Sequence, residues 1–399
     1  MLRLYTTLFF WTINDILSRN ISFLFINQQV EDKYMFTINK TCPKTGARAG
    51  TLTTLHGTIE TPVFMPVGTA GTVKSLCPRD LTNLEVQILL GNTYHLYLRP
   101  GCNVIELFGG LHEFMQWHGP ILTDSGGFQV YSLAKLRKVT SQGVIFQSHI
   151  DGSKHMLSPQ SVIDTQTCLG SDIMMCLDDV VPYPCENSQI KAALDRTHQW
   201  AKECKIIWQN SDSENILFGI VQGGMIKSYR KQSIQVLSDL DFPGYAIGGL
   251  SVGEPSEMMY DIGAYCLDLL PSEKPRYIMG VGTPADLIQL VASGCDMFDC
   301  VMPTRNARNG QLFTSQGTIN IKNADYRNDM APVDSSCTCY TCEQFSRAYL
   351  NHLYRSRELL AYRLNSIHNI HFYIQLMKQM RRAILSGCFD RFVADRLLL

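Results

Sequence analysis

Eight short apolar runs, each closing on a glycine or a polar residue, most constrain how this chain can fold. They are Pro62–Gly68, Val86–Thr93, Ile121–Asp124, Asp172–Asp178, Leu217–Gln222, Tyr245–Gly249, Tyr277–Gly282 and Met297–Asp299. Most are near-continuously apolar, as expected of parallel strands buried on both faces. Amphipathic stretches of helical length lie between several of them: Ile190–Gln209, Lys227–Ser238, Ser256–Leu270 and Pro284–Ser293. Alternating strands and helices build a parallel sheet. Eight such units predict an α/β fold of the closed (β/α)8 TIM type. A doubly wound open sheet is the alternative.

A barrel of this kind gathers its chemistry where the strands end. Asn92, Asp124, Asp178, Gln222, Gly249, Gly282 and Asp299 all fall there. Any one of them alone is ordinarily a turn or helix-cap residue. Three carboxylates, two amides and two glycines at one mouth ask for a functional reading. The pattern is interrupted at Val139–His155, where apolar residues alternate and Asp151-Gly152 signals a turn. This segment predicts a hairpin inserted after the third strand.

A larger insertion follows the eighth strand and holds Cys337, Cys339 and Cys342. Three thiolates within six residues can wrap one tetrahedral ion, and a ligand from a later helix closes the site. His352, His368 and His371 are candidates for that ligand. A Cys3His set leaves no open position, so the expected zinc is structural. The chain has 14 cysteines, and others, such as Cys176, Cys295 and Cys300, stand alone in apolar runs. Isolated thiols of this kind suit a reduced, cytoplasmic protein. A metal-dependent hydrolase is a competing reading of the barrel. It would need histidines at the strand ends, where only His95, just beyond Asn92, is found.

The formal net charge is −1, so the chain as a whole is no polyanion binder. A local basic run exists: Arg347, Arg355, Arg357, Arg363, Lys378, Arg381, Arg382 and Arg391, against Glu358 and Asp390. By itself it reads as a solvated helical surface. No long uncharged apolar stretch predicts a membrane helix. Residues 1–34 carry the apolar patches Leu8–Trp11 and Phe23–Ile26, but Asp15 interrupts them and no small-residue cleavage site follows. The expectation is a dispensable extension ahead of a domain spanning 35–399, with a zinc subdomain at about 305–370.

Four motifs occur in order: Asp124-Ser-Gly-Gly-Phe-Gln129, Gly248-Gly-Leu-Ser-Val-Gly-Glu254, Asp296-Met-Phe-Asp-Cys-Val-Met-Pro-Thr-Arg305, and the cysteine cluster with His368. Together they resemble the tRNA-guanine transglycosylases, and the likeness runs from about Met35 through the C-terminal helices. The resemblance implies Asp299 as nucleophile and Asp124 as general acid/base. It implies Ser125, Phe128, Asp178, Gln222, Gly249, Leu250 and Met279 around the base, and Gly280, Gly282, Thr304, Arg305 and Arg308 against RNA. His368 becomes the fourth zinc ligand. The partners implied are a tRNA anticodon loop, guanine, a 7-deazaguanine base and a second copy of the chain.

The chemistry agrees with these assignments. A nucleotide's glycosidic bond breaks through an oxocarbenium-like state that a carboxylate stabilises and can capture as a covalent ester. A carboxylate such as Asp178 can accept from N1–H and the exocyclic amine of guanine together. A target nucleotide in an anticodon loop is flipped out at low cost. A catalytically silent RNA-binding partner subunit is the alternative, and Asp299 argues against it. Leu177-Asp-Asp-Val-Val181 looks like the eukaryotic, queuine-salvaging catalytic subunit, whereas Val252 and Pro182-Tyr-Pro184 look bacterial. The pocket is therefore expected to take both preQ1 and queuine. Leu350, Leu353, Tyr354, Phe372 and Leu376 offer apolar side chains for a homodimer.

Overall fold

The computed structural model describes residues 35–132, 137–211 and 214–397. The expected extension, residues 1–34, lies outside the described residues. The described chain opens with an antiparallel sheet of β1 (Phe36–Thr41), β2 (Arg48–Thr54) and β3 (Gly57–Thr61). Sequence reading did not resolve this sheet. Its strands are rich in Thr and Gly, with only Leu52 and Ile59 as deeply buried apolar side chains of β2 and β3 beyond alanine.

β4 (Val63–Gly68), β5 (Leu89–Gly91) and β6 (Ile121–Thr123) begin the barrel. A three-stranded antiparallel sheet follows, of β7 (Arg137–Thr140), β8 (Gly143–Gln147) and β9 (Lys154–Leu157). It has one strand more than the expected hairpin, and Asp151-Gly152 lies in the turn between β8 and β9. The barrel resumes with β10 (Ile173–Met175), β11 (Ile216–Val221), β12 (Gly244–Ile247), β13 (Arg276–Ile278) and β14 (Met297–Cys300). Pairing of β14 with β4, from Met297↔Val63 to Cys300↔Pro66, closes the circle and excludes the open sheet. Each predicted run carries one barrel strand. Several strands are shorter than their runs, such as Leu89–Gly91 within Val86–Thr93, because ladder pairing ends before the apolar character does. Outer helices Asn187–Gln209, Lys227–Asp239, Ser256–Leu269 and Pro284–Ala292 stand where amphipathic periodicity placed them.

Side chains alternate across each strand. Val63, Met65, Val67, Ile216, Phe218, Ile220, Tyr277 and Met297 fill the barrel interior, together with Leu52 and Ile59 from the opening sheet. That sheet therefore plugs the barrel. The intervening Phe64, Leu217, Val221, Ile278 and Phe298 pack in the outer core. Below β14, Arg48 and Asp296 form a buried ion pair, with Arg48 Nε donating to Asp296 Oδ1 at 2.9 Å. Arg276 N donates to the same carboxylate at 2.7 Å. The first aspartate of the Asp296–Arg305 motif is thus a structural anchor.

After the barrel come the hairpin of β15 (Gln311–Thr314) and β16 (Gly317–Asn320), short helices, and the 27-residue helix Leu359–Leu385. This helix returns along the barrel. Tyr373 Oη donates to the Gly282 carbonyl at 2.5 Å, and Arg381 Nη1 donates to the carbonyls of Gly50 at 2.7 Å and Thr61 at 2.5 Å. Much of the basic run is committed within the chain: Arg347 pairs with Asp329, Arg363 with Asp80, Lys378 with Glu85 and Arg381 with Glu60. The apolar side chains expected at a dimer interface are also used internally. Leu350, Leu353 and Leu376 are buried, and Tyr354 and Phe372 pack half-buried against the two core clusters. No helix among the described residues is long and apolar enough to cross a membrane.

Candidate active site and metal site

The inward register of the barrel continues past its strands. Asn92, Asp124, Gln222, Met279 and Asp299 each lie two residues beyond an inward-facing residue: Leu90, Leu122, Ile220, Tyr277 and Met297. The same alternation that buries the core therefore aims these groups into the mouth.

Asp299 is held at one oxygen. Tyr277 Oη donates to its Oδ1 at 2.5 Å and Gly280 N at 2.8 Å. Among the described residues Oδ2 accepts no hydrogen bond. Burial raises the Asp299 pKa, opposed by these two donors. Tyr277 is fully buried, and burial beside Asp299 drives its own pKa well up, so it remains a donor. Sequence reading treated Tyr277 as strand only. Counting back two residues from Met279 would have placed it inside the barrel.

Asp124 accepts from Asn92 Nδ2 at 2.5 Å, from Thr93 N at 2.9 Å and from Gly126 N at 3.2 Å. Burial pushes its carboxyl up to about 6, against the bonds from Asn92 and Thr93 and with a further push from the Asp299 charge. A carboxyl at that value can give and take a proton near neutral pH.

A further carboxylate, Asp178, is fixed from two sides. Ser125 Oγ donates to Asp178 Oδ1 at 2.9 Å, and Gln222 Nε2 donates to Asp178 Oδ2 at 2.8 Å. Burial lifts Asp178 to about 6 as well. The adjacent Asp179 is turned away and neutralised by Arg196, whose Nε lies 2.7 Å from it. Two glycines follow from the packing: a Cβ at Gly248 would sit 2.6 Å from Gln222 Nε2, and one at Gly249 2.5 Å from Gln222 Oε1. Gly249 also has φ +64°, a conformation side chains disfavour. Leu250 is buried, and Glu254 accepts from the Ser251 and Val252 amides, which fixes the loop beyond.

The remaining expected residues divide by exposure. Phe128 is 51% exposed, Met279 half-buried, and Gly280 and Arg305 exposed. Arg308 is half-buried, and its Nη1 finds no partner among the described residues. Thr304 is buried, and so is Gly282, where a Cβ would meet Cys300 Cβ at 2.3 Å. Both lie inside the fold rather than on its surface.

The cysteine cluster assembles with His368. The three sulfurs and one imidazole nitrogen lie within 4.8 Å of one another. His368 Nδ1 is 3.7, 3.6 and 3.3 Å from the sulfurs of Cys337, Cys339 and Cys342. Tetrahedral zinc with ordinary bond lengths requires about 3.6 Å between sulfur and nitrogen ligands. His368 Nε2 lies 2.6 Å from the Phe313 carbonyl, a bond that orients the ring and leaves Nδ1 for an ion. His371 approaches Cys337 alone, at 3.3 Å.

A second group of ligand types, His56, His112 and Asp172, lies where the strands begin. Its two imidazoles stack at 3.6 Å with 15° between planes, so their in-plane lone pairs cannot converge on one ion. Burial disfavours the Asp172 charge, but bonds from His112, Ile121 N and His56 N outweigh it and hold the carboxyl at about 2. This group clamps the buried Asp172 carboxylate, with His112 buried and His56 exposed.

A closed (β/α)8 barrel with the carboxylates of Asp124, Asp178 and Asp299 gathered at its mouth has the architecture of a barrel enzyme. Over residues 42–398 the chain matches the family described as queuine tRNA-ribosyltransferase. A queuine tRNA-ribosyltransferase of Desulforapulum autotrophicum is 57% identical over 372 residues, covering 93% of this chain and 97% of the relative. The one of Desulfosudis oleivorans is 58% identical over 361 residues, covering 90% and 94%. That of Lawsonia intracellularis is 55% identical over 356 residues, covering 89% and 96%. The chain belongs to the queuine tRNA-ribosyltransferase family.

Proposed function

We propose that this chain is a tRNA-guanine transglycosylase of queuosine biosynthesis. It replaces guanine at the wobble position of tRNAs with GUN anticodons (Asp, Asn, His, Tyr) by a 7-deazaguanine base. The relatives' common name supports the reading. The observation that carries it is the pairing of Asp299 and Asp124 at one barrel mouth, opposite Asp178, Gln222 and Gly249.

Asp299 Oδ2 attacks C1′ of the flipped nucleotide, and the C1′–N9 bond breaks. Its electron pair leaves with guanine, which takes a proton from Asp124. A covalent ribosyl ester results. The incoming base enters, Asp124 removes its N9 proton, and N9 attacks C1′ as the ester bond breaks. Asp299 is restored, and one base has replaced the other. Asp178 accepts from N1–H and the exocyclic amine, while Gly249 N–H donates to the carbonyl oxygen. Ser125, Phe128, Leu250 and Met279 complete the base pocket. Gly280, Arg305 and Arg308 meet the RNA, with Gly282 and Thr304 supporting them from behind.

Cys337, Cys339, Cys342 and His368 hold one zinc ion, which supplies structure to the C-terminal subdomain. The enzyme acts as a cytoplasmic homodimer. Tyr340 (57% exposed), Leu359 (81%) and Met330 (89%) support such an interface on the zinc side. Residues 35–399 form the active domain, and a chain starting at Met35 exchanges normally. The incoming base is preQ1 or queuine, with Val180 and Val252 nearest the 7-substituent. Incorporation of labelled guanine into unmodified tRNA tests the function. Absence of exchange by the wild-type protein would overturn it.

A further inference from the structure

Arg230 is a buried cation with an unusual set of partners. It lies on the helix Lys227–Asp239 and has 0% exposure. Among the described residues it forms no ion pair. Its donors go to main-chain carbonyls: Nε to Gly224 at 2.8 Å, Nη1 to Val221 and Gly248 at 2.8 Å each, and Nη2 to Gly249 at 3.3 Å. A guanidinium taken wholly out of water costs several kcal/mol unless fully bonded. An apolar side chain would escape that cost but would take the donor away from these carbonyls, so the charge is tied to the loops they belong to.

In a trans peptide the C=O and the next N–H are fixed antiparallel in one plane. Arg230 grips the Gly248 carbonyl, and the other end of that peptide is the Gly249 N–H. It also grips the Val221 carbonyl, whose peptide ends in the Gln222 N–H, itself bound to Ser233 Oγ at 3.2 Å. One guanidinium therefore sets two planes, one carrying Gly249 N–H and one carrying the Gln222 that touches Asp178. A positive donor on a peptide oxygen also polarises that peptide's N–H, making it a stronger donor.

We infer that Arg230 is a positioning and specificity-determining residue. It aims and strengthens the Gly249 N–H for a base that bears a carbonyl oxygen beside its N–H/amine edge. This rests on the reading of the mouth as a guanine site. The test is affinity for guanine against 6-thioguanine, which keeps N1–H and the amine but replaces the oxygen with a poorer acceptor. It is measured on the wild type and on Arg230→Met, Arg230→Gln and Arg230→Lys, with zinc content and melting temperature checked in each. Loss of an oriented, charge-assisted bond predicts that Arg230→Met binds guanine about 10- to 30-fold more weakly. 6-Thioguanine should weaken about threefold or less, so discrimination between the bases collapses, while KM for guanine rises more than kcat falls. Arg230→Lys should recover part of the discrimination. If Arg230→Met does not fold, the Lys and Gln variants decide by the same ratio. Unchanged binding, or equal loss for both bases, overturns the inference. A wild-type protein that exchanges no guanine overturns the functional reading instead.

Discussion

Asp178→Asn separates the cost of the site from its use. The Asp178 carboxyl is buried and rises from 3.8 to about 6 on folding. A raised carboxyl means that the folded state holds its proton more tightly than the unfolded chain. Its contribution to stability is fully present below about pH 4 and is lost as the pH climbs through about 6. At 1.36 kcal/mol per pH unit the loss is about 3 kcal/mol. Asparagine keeps the shape and carries no charge. The Ser125 hydroxyl can rotate and the Gln222 amide can turn to meet it, so the packing survives. Urea unfolding of both proteins at pH 4 and pH 7.5 measures the effect. The variant should gain about 3 kcal/mol on the wild type between the two conditions, the Asp124 contribution being common to both. Guanine affinity should move the opposite way and fall about 100-fold, because an amide cannot accept from both edge donors. Stabilities that run parallel across this range would refute the account of Asp178 as a buried acid held at a cost.

Asp299→Asn should abolish base exchange and the covalent RNA adduct while tRNA binding persists; gel-stable adduct formation by this variant would exclude Asp299 as nucleophile. Exchange should fall about tenfold per pH unit below about pH 6, where Asp178 gains a proton and can no longer accept from both guanine donors, while the Asp124 that gives its proton to departing guanine stays protonated, as a kcat/KM profile would record. Cys339→Ala should lose the metal and destabilise the C-terminal subdomain by several kcal/mol, read by metal content and hydrogen exchange of helix Leu359–Leu385. Val252→Gly should improve queuine use relative to preQ1 by about 10-fold or more in competition with labelled guanine, the scale of a methyl-size change in a pocket.

The barrel was legible because its strands announce themselves twice, as apolar runs and by the polar residue that ends each run. The opening sheet β1–β3 was not, since a plug that buries Leu52 and Ile59 needs no apolar run. The expected dimer residues show the converse error. Leu350, Leu353 and Leu376 looked surplus only while the long helix Leu359–Leu385 had no known partner surface. Residues that act across elements are the hardest to see. Tyr277 stands in a strand, where only the period of two places it inside the barrel, and Arg230 stands on a helix, where nothing local marks its bonds to the carbonyls of Val221 and Gly248.

Asp296 and Asp299 show how one motif can hold two carboxylates in different ways. They sit three residues apart in one motif, and burial raises the pKa of both. Asp296 precedes β14 and meets a guanidinium and a main-chain amide that occupy both its oxygens. Asp299 lies one inward step beyond Met297, where the barrel opens, and its donors take only Oδ1. The proposed role of Asp299 as nucleophile draws on an oxygen that has no hydrogen-bond donor among the described residues at the end of the strand, a property of register that the period of two already encodes.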